Sequence, residues 1–198
     1  MIQKGFTLIE LIIVIAIIAL LATTVILVIN PVKIFQEARD SQRIADLGQM
    51  NSALSLFLAT AANPTLGANC LTGWSASMSA VPAGSQPFAN PATAVASATH
   101  SATAFAVDGT GWVPADLRNT SGGSPLAALP RDPRNNSNAA LTAAGLFYAY
   151  QCDNTNRVFE VNANMESTRY ANGGADDVEN TDGGNQSAVF EVGTNLGL

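Results

Sequence analysis

Hydrophobic positions follow three different patterns along the chain. Between Phe6 and Ile29 they are almost unbroken: from Leu11 to Ile29 no residue is charged, and only Thr23 and Thr24 are polar. At ~1.5 Å per residue this run makes about 28 Å of helix, close to the hydrocarbon thickness of a bilayer. It contains no glycine between Phe6 and Asn30, and its first breaker is Pro31. Pro31 removes a helix hydrogen bond, so a kink or a fresh helix start with Asn30 as cap is expected there.

Residues 32–62 change to an amphipathic pattern. Leu47, Met50, Leu54, Phe57 and Ala61 recur at alternating steps of three and four, the spacing of one helical stripe. Arg39, Asp40, Arg43 and Asp46 read as lying mostly off that stripe. The stripe is predicted to pack a head domain, and Asn63-Pro64 is a plausible stop. A third pattern, period two, appears in residues 145–193. In Arg157–Glu166, Phe159, Val161, Ala163 and Met165 alternate with Glu160, Asn162, Asn164 and Glu166, a half-buried strand. Leu146–Gln151 and Ser187–Val192 supply two more strands. The expected fold class is α+β: an antiparallel sheet with one face on a helix. Between these regions, residues 63–144 are rich in Ala, Ser, Thr, Pro, Gly and Asn. They read as mostly loop, with short strands at Thr103–Val107 and Gly111–Val113, and with Trp74 and Trp112 packing the loop onto the head.

Charge sharpens this picture. Only 12% of the 198 residues are charged, about half the usual share. That scarcity suits a chain that lives partly in lipid and partly in a packed assembly. Acids and bases balance up to residue 152, so the net charge of −6 arises wholly in the last quarter. No basic stripe is present, which leaves direct nucleic-acid binding without electrostatic support. Cys70 and Cys152 are the two cysteines. If the head lies outside the cytoplasm, a disulfide between them is the natural reading; two buried thiols are the alternative. The bond would close a loop of roughly 80 residues, about 4.5 kcal/mol in the chain-entropy model.

Simpler readings of the N-terminal run each leave something over. A secretory signal has an apolar core of about 7–15 residues ending at an A-x-A-like site; this run is longer and has no such end. A plain anchor leaves Glu10 unexplained, because a carboxylate in a spanning helix is costly unless paired. A buried core helix seldom needs so long an apolar run. The positive-inside rule does not fix the orientation, since Lys4 precedes the span while Lys33, Arg39 and Arg43 follow it.

Lys4-Gly5-Phe6-Thr7-Leu8-Ile9-Glu10-Leu11 resembles the processing motif of type IV prepilins and of the pseudopilins of type II secretion. The short basic leader, Gly5, the aromatic Phe6 and Glu10 all match, over about residues 1–60. The resemblance implies a leader at 1–5, a transmembrane and filament-core helix at 6–30, an amphipathic helix of the head at 31–62, a variable loop region at 63–144 and a strand meander at 145–198. It implies a type IV pilin-like fold, in which a long N-terminal helix packs by its second half on a small antiparallel sheet. It also implies cleavage after Gly5 by a prepilin peptidase, N-methylation of Phe6, and polymerisation into a helical filament. In that filament Glu10 would pair with the Phe6 amine of a neighbouring copy and set its register. Methylation keeps the amine's charge, and opposite charges attract strongly in low dielectric. The implied partners are further copies of the chain, the peptidase, and an inner-membrane assembly platform with its ATPase. The implied location is the inner membrane as a single-pass precursor, then an extracellular pilus or a periplasmic pseudopilus. Leu129-Pro130-Arg131-Asp132-Pro133 and the ending around Phe190–Asn195 also resemble pseudopilin-like heads.

The segment Gly173–Gly184 carries Asp176, Asp177, Glu179 and Asp182. Calcium takes several oxygen ligands from a flexible loop, and major pseudopilins hold calcium in a comparable loop, so the resemblance makes these four residues candidate ligands. The spacing is not an EF-hand, and a solvated acidic turn is the preferred reading. No other cofactor is expected. His100 has no evident partner, and no phosphate loop, nucleophile elbow or zinc spacing occurs, so the chain reads as a substrate of the peptidase and not as an enzyme. The leading function is a structural subunit of a type IV pilus. Alternatives are a pseudopilin, a minor pilin acting as an adhesin or tip initiator, and a membrane-anchored head without a filament.

Overall fold

The computed structural model describes residues 5–68, 70, 73–77, 88, 105–134 and 146–198. His100 and the start of the Thr103–Val107 segment lie outside them. The chain forms two compact units, Met1–Gln36 and Glu37–Leu198.

The first unit is built on helix α1, Leu8–Ile29. Every side chain described in it is exposed, as expected of a helix whose natural surroundings are apolar. It stops at Asn30, whose backbone turns left-handed at φ 42°. Asparagine is one of the few non-glycine residues that tolerates this conformation. Helix α2, Pro31–Thr60, starts on the next residue. The Lys33 amide donates to the Asn30 carbonyl at 3.0 Å, so the break is a helix end followed directly by a new start.

The second unit holds α2 from Glu37 onward and a four-stranded antiparallel sheet in the order β1-β2-β3-β4. The strands are β1 (Ser75–Ala76), β2 (Tyr148–Asp153), β3 (Val158–Ala163) and β4 (Phe190–Gly193). Leu47, Met50, Leu54 and Phe57 of α2 are buried against Tyr148, Tyr150, Cys152, Phe159, Val161 and Ala163 of the sheet in one core. Register places those sheet residues on a common face: Tyr148 opposes Ala163, Tyr150 opposes Val161 and Cys152 opposes Phe159. Trp112 is buried in the same core, its indole N–H donating to the Pro130 carbonyl at 3.1 Å and its ring lying 6.1 Å from that of Tyr148. Trp74 lies on the other face, stacked at 5.9 Å on Phe147 and close to Phe88. Cys70 and Cys152 are joined by a disulfide with the Cα atoms 4.6 Å apart, tying the loop after α2 to β2.

Three expectations need correction. Gly111–Val113 is not a strand, nor are the described residues of Thr103–Val107; the chain there forms turns, with a single bridge between Asp108 and Asp116. The tryptophan and leucine side chains of this region fill the core from irregular backbone. Asp40, Arg43 and Asp46, expected mostly off the apolar stripe of α2, are buried. The polar side of β3 is not solvated either: Glu160 and Asn162 are as buried as Phe159 and Val161, because the segment after Asp182 folds over that face.

The buried charges of α2 form a network. Arg43 donates to Asp132 through Nε at 2.6 Å and a terminal nitrogen at 3.0 Å, and to Asp40 at 2.7 Å. Asp40 also accepts the amides of Glu166 and Ser167, just beyond β3. Arg39 and Arg134 both bond Glu166. Burial alone works against the Arg43 charge, but hydrogen bonds to Asp132 and Asp40 and their charges outweigh it and raise its pKa. The Leu129–Pro133 turn is therefore locked to α2 by Asp132. Asp46 accepts the Tyr148 hydroxyl at 2.7 Å, and burial followed by this bond to an anion pushes the phenol pKa up.

Candidate functional site

The N-terminal segment carries the chemistry of greatest consequence. Phe6 is exposed. Thr7 has extended backbone geometry and caps α1, and Glu10 stands at the third helical position. Their side chains form a reciprocal capping box. The Thr7 amide and hydroxyl donate to Glu10 Oε2 at 2.8 and 2.7 Å, and the Glu10 amide donates to Thr7 Oγ1 at 3.3 Å. The box meets donors that a helix start leaves without partners. It also holds the Glu10 carboxylate near the positive end of the helix dipole. All three bonds leave Glu10 Oε1 unused. Directly around this cap runs the apolar window Leu8–Val25, 18 residues long and sufficient in length and composition to cross a membrane.

Residues 1–26 match the family of the prokaryotic N-terminal methylation motif. The chain begins with a prepilin-type cleavage and methylation motif. No curated protein and no solved structure matches the chain significantly. The prepilin-type motif implies processing by a prepilin peptidase and assembly into filaments, and the apolar helix that follows it fits membrane insertion. Together with α2 and the antiparallel sheet, it completes an α+β, pilin-like architecture.

The structure does not gather the acidic loop into one site. Asp176 pairs with Arg169 at 2.5 Å. Asp177 accepts the amides of Gly173 and Asn180, which hold its pKa down. Glu179 is buried and accepts the amides of Met165 and Asn172; burial raises its pKa despite those bonds. Asp182 accepts the amides of Gly184 and Glu191. Each carboxylate is engaged by its own partners, and among the described residues no group of three or more His, Cys, Asp or Glu side chains is arranged for a metal ion. The donor set does not fit a calcium ion as folded.

Two features escaped the pattern reading. The capping box was legible as Thr7-x-x-Glu10 before an apolar run, a known helix-start signature. The Arg43 network was legible too: Asp40 and Arg43 continue the same 3-4 spacing upstream of Leu47.

Proposed function

We propose that the chain is the structural subunit of a type IV pilus. The peptidase cuts between Gly5 and Phe6 and methylates the new Phe6 amine. The mature chain waits in the inner membrane through α1, then enters a helical filament that carries the heads outside the cell, with the assembly platform and its ATPase driving the transfer. The observation that carries this reading is the prepilin-type motif set directly on an apolar helix whose one acid, Glu10, lies within the spanning window.

In an apolar setting a carboxylate is costly unless its hydrogen bonds and charge are met. Thr7 meets part of that need within the chain, at Oε2. A cationic Phe6 amine from the next copy meets the rest at Oε1. Such a pair offsets desolvation only in good geometry, and that requirement sets the axial register of each copy on its neighbour. The disulfide between Cys70 and Cys152 suits a head displayed in an oxidising compartment.

Glu10→Ala tests the reading. It should leave cleavage intact, trap the mature chain in the membrane fraction and abolish sheared filaments. Filaments at normal yield and length from Glu10→Ala would overturn it.

A further inference from the structure

The second face of the sheet holds two acids without a countercharge. Glu160 on β3 and Glu191 on β4 are both buried, at 0% and 1% exposure. Asn162 opposes Glu191 in the register, so Glu160 and Glu191 are diagonal neighbours. Their carboxyl groups lie within hydrogen-bond reach of each other. Among the described residues neither makes an ion pair with a lysine or arginine.

The four oxygens are not equally served. Glu160 accepts the Asn162 side-chain amide on Oε1 at 2.7 Å and the Leu198 amide on Oε2 at 2.9 Å. Glu191 accepts the Gln186 amide on Oε2 at 2.9 Å. Glu191 Oε1 is buried and receives no hydrogen bond. A bare anionic oxygen in that position is unfavourable. The same oxygen carrying a proton becomes a donor, and the adjacent Glu160 carboxylate is its acceptor.

We propose that Glu160 and Glu191 share one proton, and that this proton fastens the two flanks of β4, the turn from Asp182 to Val189 and the tail from Thr194 to Leu198, onto the second face of the sheet. Both flanks touch the pair directly. Leu198 hangs on Glu160, Gln186 hangs on Glu191, and Gly184 lies so close to the Glu191 carboxylate that a Cβ there would collide with it. The other groups around the pair do not supply positive charge. Gln151 on β2 opposes Glu160, Asn162 lies beside it on β3, and the turn after residue 181 contributes Asp182, a further negative charge. Losing the proton would put two adjacent anions beside a third in a water-poor setting, and the turn before β4 and the tail after it, which lie outside the strand, are the elements free to separate.

Burial pushes the Glu191 pKa up to about 8, against one backbone hydrogen bond from Gln186 that lowers it and with the hydrogen bond to Glu160 and the charges of Glu160 and Asp182 adding to the rise; burial raises Glu160 as well. A carboxyl with a raised folded pKa favours the fastened state fully below its unfolded pKa. That contribution declines as pH rises and is gone above the folded pKa. The fastening is therefore strong in acid and lost in mild alkali.

The test is hydrogen exchange read by mass spectrometry on the full chain in detergent micelles at pH 6 and pH 9, corrected for the intrinsic rate. Peptides spanning residues 182–198 should lose at least about ten-fold in protection at the higher pH, while peptides from residues 47–57 of α2 hold theirs. Glu191→Gln should remain protected at both pH values, because its amide donates to Glu160 permanently and its carbonyl still accepts the Gln186 amide. Glu160→Gln is the second variant, with the donor on the opposite side. Equal tail protection of the unmodified chain at the two pH values would overturn the proposal. So would the same pH-dependent loss in the glutamine variants.

Discussion

Removing the Arg43 guanidinium is the sharpest perturbation of the head. Arg43 is fully buried, and its three short bonds serve two acids from different parts of the chain. In Arg43→Ala, Asp132 keeps only the Arg134 amide, and Asp40 keeps the amides of Glu166 and Ser167. Both carboxylates stay buried, now without a cation between them. Breaking a buried pair in this way costs about 3–5 kcal/mol. For a chain of this size each kcal/mol is worth about 2–4 °C, so Tm should fall on the order of 10 °C. Asp132→Ala alone should also destabilise, by removing two of the three hydrogen bonds of Arg43 and leaving it with Asp40 at 2.7 Å and Glu166 at 3.6 Å. The double variant should cost less than the sum of the two, with a coupling of at least about 1.5 kcal/mol. Circular dichroism melts of the four proteins in the same detergent measure all of these terms. A loss below about 3 °C for Arg43→Ala, or strictly additive effects, would refute the claim that the network ties α2 to the Leu129–Pro133 turn.

Three further outcomes follow from the same structure. Cys70→Ser/Cys152→Ser should lower stability by about 2–5 kcal/mol in chemical denaturation, and a midpoint unchanged from the oxidised protein would contradict the bond. The Glu166 carboxyl is held below its usual range first by the Arg39 hydrogen bond and then by nearby arginine charge, against partial burial. Its stabilising contribution should thus be present above about pH 4.5 and fade as pH falls further; Glu166→Gln should flatten that acid limb, and an unaltered limb would assign it elsewhere. Because Asp176, Asp177, Glu179 and Asp182 are each engaged by separate partners, melting curves recorded in calcium and in chelator should superimpose; a rise in Tm with calcium would show that the loop rearranges to bind it.

The elements with a strong single period were legible before the structure. The Leu47–Ala61 stripe and the alternation of Phe159, Val161 and Ala163 correspond to the packed faces of α2 and β3. Strand β1 was not legible, because two residues, Ser75 and Ala76, carry no period and owe their conformation to pairing with β2. The buried acids were missed for a related reason. Alternation identifies which residues share a face, but it does not say that a distant segment will cover the polar face. Glu160 reads as solvated until the Leu198 amide is seen donating to it. Asp40 and Arg43 read as mostly off the stripe, although their spacing continues it upstream of Leu47. At the N-terminus the local signals were sufficient: Gly5, Phe6, Thr7 and Glu10 stand before an apolar run, and the structure adds how Thr7 holds Glu10.

The most direct test of the central claim is the intact mass and N-terminal sequence of the chain recovered from a sheared surface fraction without reducing agent. The account predicts a chain that starts at N-methylated Phe6, sits in filaments and lacks the two hydrogens removed by the Cys70–Cys152 bond. A chain that retains Met1, or one cut beyond Ala22, would contradict it.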